Sequence, residues 1–407
     1  MQILLLPLLL SLADGTADSA EQSEPPAPRP TELNSLDPDV GGWRRDGKGL
    51  SYEADNGFEI HAWLRAQLRY STPFDSDPRT PETTNDPPGA DSEVRRARIK
   101  VDGQLFSQRV GYYFEHELSG DRPLLDLRLD VAATENLLFR IGQYKVLYNR
   151  ERVDSSGKQQ FVERSISTYP FTLDRQRGAA AAWHVAEGTR GDSWFMAGVY
   201  EGDGIDPDQK GDDPLVLARW QWQFLREALP FAQSDFRQRE RPAATVSLAA
   251  SHVRGPYTRF SSSGGGQLDG FESGGDDRYT LRQWQQGFAW QYRGFSFQQE
   301  LHGKRIEDHE TGLDSTLRGG YAQAGKAWPI QLGERAAAFE VAIRGARVDW
   351  EDTPRDREQR EFTVVTNLFL NGHDSKITAE FGRLTVRETG IPTAADTRFR
   401  LQWDVSF

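Results

Sequence analysis

The last eleven residues, 397–407, alternate almost without fault: Phe399, Leu401, Trp403, Val405 and Phe407 share one face, while Arg398, Arg400, Gln402 and Asp404 share the other. A period of two is the side-chain period of a β-strand, so this segment separates two unlike surroundings. A half-buried strand in a soluble sheet has the same period, but chain ends usually fray. Here the apolar face carries aromatics to the final residue. A strand that closes a transmembrane β-barrel meets both conditions, with lipid on one face, water on the other and no free edge.

The rest of the chain repeats the pattern. In residues 58–70, Phe58, Ile60, Ala62, Leu64, Ala66, Leu68 and Tyr70 alternate with Glu59, His61, Trp63, Arg65, Gln67 and Arg69. In residues 96–105, Ala97, Ile99, Val101, Gly103 and Leu105 point outward, and Arg96, Arg98, Lys100, Asp102 and Gln104 point inward. Further strands are expected at 110–118, 125–131, 137–145, 177–185, 194–200, 215–224, 244–252, 279–292, 295–305, 316–328, 338–350, 362–370 and 376–386. The sum is an all-β transmembrane antiparallel barrel of about 16 strands, a size that encloses an aqueous channel. Tryptophans such as Trp183, Trp328 and Trp403 near predicted strand ends suit aromatic girdles at the two interfaces, with others left for the lumen.

Composition fits a membrane protein that hides its apolar surface in alternation. Charged residues make up 27% of the 407, mean hydropathy is −0.67, and no internal segment approaches the roughly 20 apolar residues of a spanning helix. Absence of cysteine removes disulfides and thiolate metal sites, leaving the strand ladder to hold the fold.

Residues 3–13 form the one continuous apolar run and are followed by Ala17, Ser19 and Ala20, so residues 1–20 read as a signal peptide for export, although no Lys or Arg precedes the run. Residues 21–56 read as a periplasmic linker rich in Pro and acid, disordered over 21–40, and residues 57–407 as the barrel. Long polar connections at 71–92, 148–176, 201–214, 253–278 and 350–360 are expected outside, and short turns at 292–294 and 371–374 in the periplasm.

Several elements of the N-terminal half resemble the phosphate-selective porin O and P family. They are Tyr113-Phe114-Glu115-His116-Glu117-Leu118-Ser119-Gly120, the Leu125-Asp126 strand, Leu138-Phe139-Arg140-Ile141-Gly142-Gln143-Tyr144-Lys145, Phe161-Val162-Glu163-Arg164-Ser165, Asp174-Arg175-Gln176-Arg177-Gly178 and Gly198-Val199-Tyr200-Glu201-Gly202-Asp203-Gly204. The Gly-Gln-aromatic-Lys element is the most specific, and Leu147 stands where the family often has Pro. The resemblance implies a homotrimeric sixteen-stranded outer-membrane channel for phosphate-like anions, constricted by an inward-folded third loop and lined by Arg and Lys. It also implies that Lys145 and Arg175 or Arg177 face the lumen.

Residues 148–176, too long and polar for a turn, are the expected constriction loop; they carry Arg150, Arg152, Lys158 and Arg164 beside Glu151, Asp154 and Glu163. Arg96, Arg98, Lys100 and Arg140 join the candidate lining from the inward face of their strands. An anion entering a narrow pore loses hydration, which cationic donors must replace without holding it too tightly. The plain alternative is that Asp102, Asp126, Asp130 and Glu163 neutralise these cations and give a general, non-selective porin. The net charge of −12 includes −6 from residues 1–40, where seven acids face Arg29, leaving −6 for the barrel.

Other motifs carry less. Asp206, Asp208 and Lys210 only begin to imitate an EF-hand, since Leu217 falls where a bidentate Glu is required. Residues 261–266 lack the Lys and helix of a phosphate-cradling loop. The rival class is a barrel enzyme, a lipase or protease, for which His116 between Glu115 and Glu117 is the local candidate. No catalysis, cofactor, metal or nucleic-acid partner is expected.

Overall fold

The computed structural model describes residues 42–44, 49–54, 57–105, 109–119, 124–205, 210–211 and 213–407. The expected signal peptide, the disordered 21–40 stretch and residues 206–209 lie outside the described residues.

Sixteen antiparallel strands follow one another around a closed barrel. They are β1 Glu59–Thr72, β2 Asp91–Gln104, β3 Val110–Glu117, β4 Leu124–Ala132, β5 Leu137–Lys145, β6 Arg175–Val185, β7 Ser193–Tyr200 and β8 Leu215–Trp222. Then come β9 Ala243–Gly255, β10 Tyr279–Tyr292, β11 Phe295–Asp308, β12 Asp314–Leu332, β13 Arg335–Glu351, β14 Arg357–Asn371, β15 Ser375–Glu388 and β16 Ala394–Ser406. Each expected strand is present, and β5 and β10 coincide with the expected limits. The larger shifts fall at outer ends such as that of β14, where both faces turn polar and alternation fades. Among the described residues no helix is long and apolar enough to cross a membrane.

Burial is inverted relative to a soluble protein. Leu64, Leu68, Phe399, Leu401 and Trp403 are exposed, while Arg65, Gln67, Arg69, Arg398, Arg400, Gln402 and Asp404 on the other face of β1 and β16 are buried. Trp183, Trp328 and Trp403 join the exposed surface, whereas Trp63 and Trp350 face inward. At the seam, Phe407 N–H donates to the Leu64 carbonyl at 2.9 Å and Leu64 N–H to the Phe407 carbonyl at 2.8 Å. The terminal aromatic thus belongs to the closure itself.

Part of the expected linker is built into the sheet. β16 covers Arg65–Thr72 of β1, and Leu50–Glu53 pairs with the remaining inner end, Glu59–Ala62; Gly42–Arg44 pairs in turn with Ser51–Glu53. Without this strand the inner half of β1 would present an open edge. The stretch expected as linker up to residue 56 therefore contains two short strands, Gly42–Arg44 and Leu50–Glu53.

Connections alternate in length around the barrel, and the end carrying the longer ones is the outer one by the rule for outer-membrane barrels. At the inner end β10 and β11 are joined by Arg293 and Gly294, both left-handed with φ of 46° and 81°, which suits a two-residue hairpin turn. The exception is 223–242, between β8 and β9. It lies at the inner end and yet is long, and its sequence gave no sign of being a folded element.

Candidate functional site

Loop 146–174 leaves β5 at the outer end, crosses the lumen and returns to β6, its base closed by Val146 N–H donating to the Asp174 carbonyl at 2.8 Å. Buried loop backbone needs partners, and lumenal side chains supply them. Wall carboxylates take loop amides, Glu380 from Val162 and Glu361 from Ile166, both at 3.0 Å, and Glu300 from Arg150. Wall cations and amides reach loop carbonyls: Arg219 to Tyr148 at 2.6 Å, Arg344 to Glu163 at 2.9 Å, Asn367 to Gln160 at 2.8 Å, and Lys376 to Gln159. Anchors come from strands all around the barrel, which fixes the loop as the inward-folded constriction.

The predicted lining residues divide by what they touch. Arg96 reaches Glu163 of the loop at 3.0 Å. Arg98 bridges Glu115 and Glu117, each at 2.6 Å, and Lys100 lies 3.1 Å from Glu115. Arg140 pairs with Asp130 at 2.6 Å and Arg175 with Asp126 at 2.8 Å. Lys145 donates to the carbonyls of Val153 and Asp154, and Arg164 to those of Glu151 and Asp154. In the same loop Arg152 pairs with Asp174, Arg150 donates to Gln298 at 3.0 Å, and Lys158 is half-buried near Asp154. Arg177 departs from expectation. It shares the outward face of Ala179 and Trp183, is partly exposed, and pairs with Glu201 at 2.7 Å. Its register opposite Gln143 places it one residue off the lumenal parity of Arg140 and Tyr144.

The passage beside the loop is asymmetric. In the outer lumen Tyr144, Tyr148, Phe171, Tyr200, Tyr257 and Phe260 belong to a buried apolar cluster to which loop 256–278 contributes. Next to this cluster, and sharing Phe260 with it, lies a cavity of about 240 Å³ between the β1–β2 loop, β2 and the constriction loop, lined by Arg79, Arg95, Arg96, Arg152 and Arg164 together with Asp77, Glu163 and Asp174. Five guanidiniums face three carboxylates. Glu163 is the hub, with Arg69 at 2.7 Å, Arg96 at 3.0 Å and Arg95 at 3.3 Å. Burial alone would push its carboxyl up; Arg96, Arg69 and Arg95 instead hold it well below the usual carboxylate range. Burial, with the Arg152 guanidinium alongside, pushes Arg164 down to about 10. Deeper in the loop, burial raises the Asp154 carboxyl to about 6 against Lys158, Arg150 and Lys145.

A second segment enters from the inner end. Gln160 N–H of the loop donates to Gln233 Oε1 at 2.8 Å, Ser234 donates to Glu340 at 2.8 Å, and Gln160 and Asn367 donate to the same carboxylate at 2.7 and 2.8 Å. Phe236 stacks on Phe369 with centroids 4.7 Å apart, and Asp235 accepts the Gly294 amide at 2.7 Å. Residues 223–242 therefore narrow the lumen from below and meet the loop at Glu340.

Reasoning from sequence missed Arg65, Arg69, Arg344, Arg398, Arg400 and Lys376, all buried in the lumen. The signal was present, since the alternation rule that selected Arg96 and Arg98 selects them equally. His116 does not meet its neighbours as an enzyme would require: it lies beside Phe114 on the outward face, while Glu115 and Glu117 point inward to Arg98.

A model of the phosphate-selective porin O and P family matches residues 66–407. Among proteins of curated function, none matches the sequence significantly. Similar solved structures include OmpT, an outer-membrane protein of Vibrio cholerae (9% identity, 87% of this chain and 99% of that one, TM-score 0.56), and an anion-selective porin of Comamonas acidovorans (10%, 86% and 99%, TM-score 0.54). The outer-membrane channel DcaP of Acinetobacter baumannii matches with 10% identity over 88% of this chain and 100% of that one, at a TM-score of 0.50. At such identities the likeness is one of fold. The family match decides the rest: this chain belongs to the phosphate-selective porin O and P family and is an outer-membrane porin.

Proposed function

We propose that the porin passes small anions, phosphate or polyphosphate among them, by passive diffusion past the cavity between β2 and the constriction loop. The observation that carries this reading is the cavity beside the constriction loop, where five arginines face three carboxylates. At an effective dielectric near 20, one unpaired charge at 4 Å is worth about 4 kcal/mol, so even a small local excess outweighs the acidic balance of the distant loops. Arg96, Arg98, Lys100, Arg140, Lys145, Lys158, Arg164 and Arg175 line or support the route. Export by the leader in residues 1–20 and assembly as a homotrimer complete the proposal. The outward face of β1–β5 supports assembly, because Leu64, Leu68, Leu127, Leu129, Phe139 and Ile141 form an uncharged apolar wall suited to a second copy.

A general porin is the second reading, favoured by the pairing of Arg98 with Glu115 and Glu117 and of Arg140 with Asp130. Replacing both Arg96 and Arg164 with Gln separates the two. Loss of anion preference in planar bilayers, with Arg177→Glu unchanged as the control, supports the anion channel; a double variant that keeps the wild-type reversal potential supports the general porin.

A further inference from the structure

The outward face of β10–β15 is not apolar throughout. Each of these strands carries an exposed arginine toward its outer end: Arg282, Arg305, Arg318, Arg347, Arg360 and Arg383. Arg282 stands directly opposite Arg305, and Arg347 opposite Arg360. Like charges in such cross-strand positions destabilise a sheet, so these two opposed pairs, on four of the sixteen strands, call for something that offsets them.

Interleaved carboxylates pair with five of the six. Glu307 is shared between Arg282 at 2.6 Å and Arg305 at 3.4 Å, Asp314 also pairs with Arg305, Glu351 with Arg318 at 3.2 Å, Asp349 with Arg347 at 2.8 Å, and Glu358 is shared between Arg347 at 2.7 Å and Arg360 at 2.8 Å. These pairs are exposed and contribute little. Arg387 donates to Thr393 at 3.3 Å, and neither it nor Arg383 forms an ion pair among the described residues.

Height along the strand identifies the occupant. Inward of the arginines, past Gly303 on β11 and Gly345 on β13, the same face carries Trp284, Leu301, Ile343, Phe362 and Phe381, all exposed and apolar. The strands run to 14–19 residues. At about 3.3 Å per residue and a tilt near 40° they exceed an apolar band about 25 Å tall, which puts the arginine belt at the outer headgroup level. On β1–β5 the outward face has no such belt.

We infer that the belt is a binding site for the phosphates of a phosphorylated glycolipid of the outer leaflet. Guanidinium forks take phosphate oxygens, often two at a time, and the acyl chains lie on the aromatic surface beneath. A free polyanion would use the arginines and leave that surface without a role. The site is independent of what passes through the lumen.

The test titrates the full-length protein, refolded in non-ionic detergent, with diphosphoryl lipid A and with the same glycolipid stripped of phosphate, following the unfolding midpoint. Saturable stabilisation by the diphosphoryl form alone is expected. Each arginine near an anionic lipid surface is worth roughly fivefold in affinity, so R347Q/R360Q/R383Q should weaken binding on the order of a hundredfold. Arg335→Gln, at the inner end, should leave binding unchanged. Should the triple variant fail to refold, Arg383→Gln alone, which breaks no ion pair, should still show the roughly fivefold loss. Equal response to both glycolipids, or variants that bind like the wild type, would overturn the assignment.

Discussion

The guanidinium of Arg96 on β2 lies 3.0 Å from the carboxylate of Glu163 on the constriction loop, and Arg69 and Arg95 converge on the same group. One loop carboxylate thus offsets three wall cations and ties the loop to the wall. Glu163→Gln should raise the anion-to-cation permeability ratio while costing about 2 kcal/mol of stability, because it leaves the arginines short of an acceptor. Reversal potentials in a KCl gradient, paired with an unfolding curve, check both. An unshifted potential would place Glu163 off the ion path.

Asp154 provides a pH dependence. Its carboxyl is raised by burial to about 6, so the folded chain holds the proton more tightly than the unfolded one. The associated stability is full below a pH of about 4 and is lost as pH rises through about 6. Selectivity follows the same charge: ionisation adds a negative group beside Lys158, Arg150 and Lys145, so anion preference should decline between pH 5 and 7 in the wild type. Asp154→Asn should flatten this profile at its low-pH level, and a variant that titrates like the wild type would contradict it.

Residues 223–242 narrow the lumen from the inner end through Gln233, Ser234 and Phe236. Replacing 226–240 with Asn-Gly should increase single-channel conductance, while heat-modifiable electrophoretic mobility confirms that the barrel still closes. Unaltered conductance would mean that the outer cavity alone limits flow.

Gly142 explains why the Gly-Gln-Tyr-Lys element needs glycine. Its φ is 128°, and a Cβ there would stand 2.2 Å from the Leu127 carbonyl oxygen on β4. Gly142→Ala should cost roughly 1–3 kcal/mol, read as a lower urea midpoint for unfolding in detergent micelles.

Strand alternation was legible because each strand divides lipid from water, and a period of two survives whatever residues carry it, as in β5 and β10. Legibility failed where that division stops. Leu50–Glu53 does alternate, with Leu50 exposed and Ser51 buried, but over four residues the pattern is too short to stand out from the surrounding sequence, and the strand covers the edge of β1 left by β16. Residues 223–242 form neither strand nor simple turn, and their partners, Gln160, Glu340 and Phe369, are distant in sequence. At the site, alternation placed Arg96, Arg98, Lys100 and Arg140 inward correctly, while Arg177 depended on resemblance and fell on the opposite parity. Which cations are neutralised depends on contacts such as Arg175 with Asp126 and Arg164 with backbone carbonyls, and no spacing rule encodes those.

The measurement that bears most directly on the central claim is the reversal potential of the wild-type porin in a chloride gradient, followed by titration of phosphate against the chloride current. An anion-selective potential and a chloride current that falls as phosphate is added are the predicted result. A potential near zero or of cation-selective sign, with current indifferent to phosphate, would contradict the account.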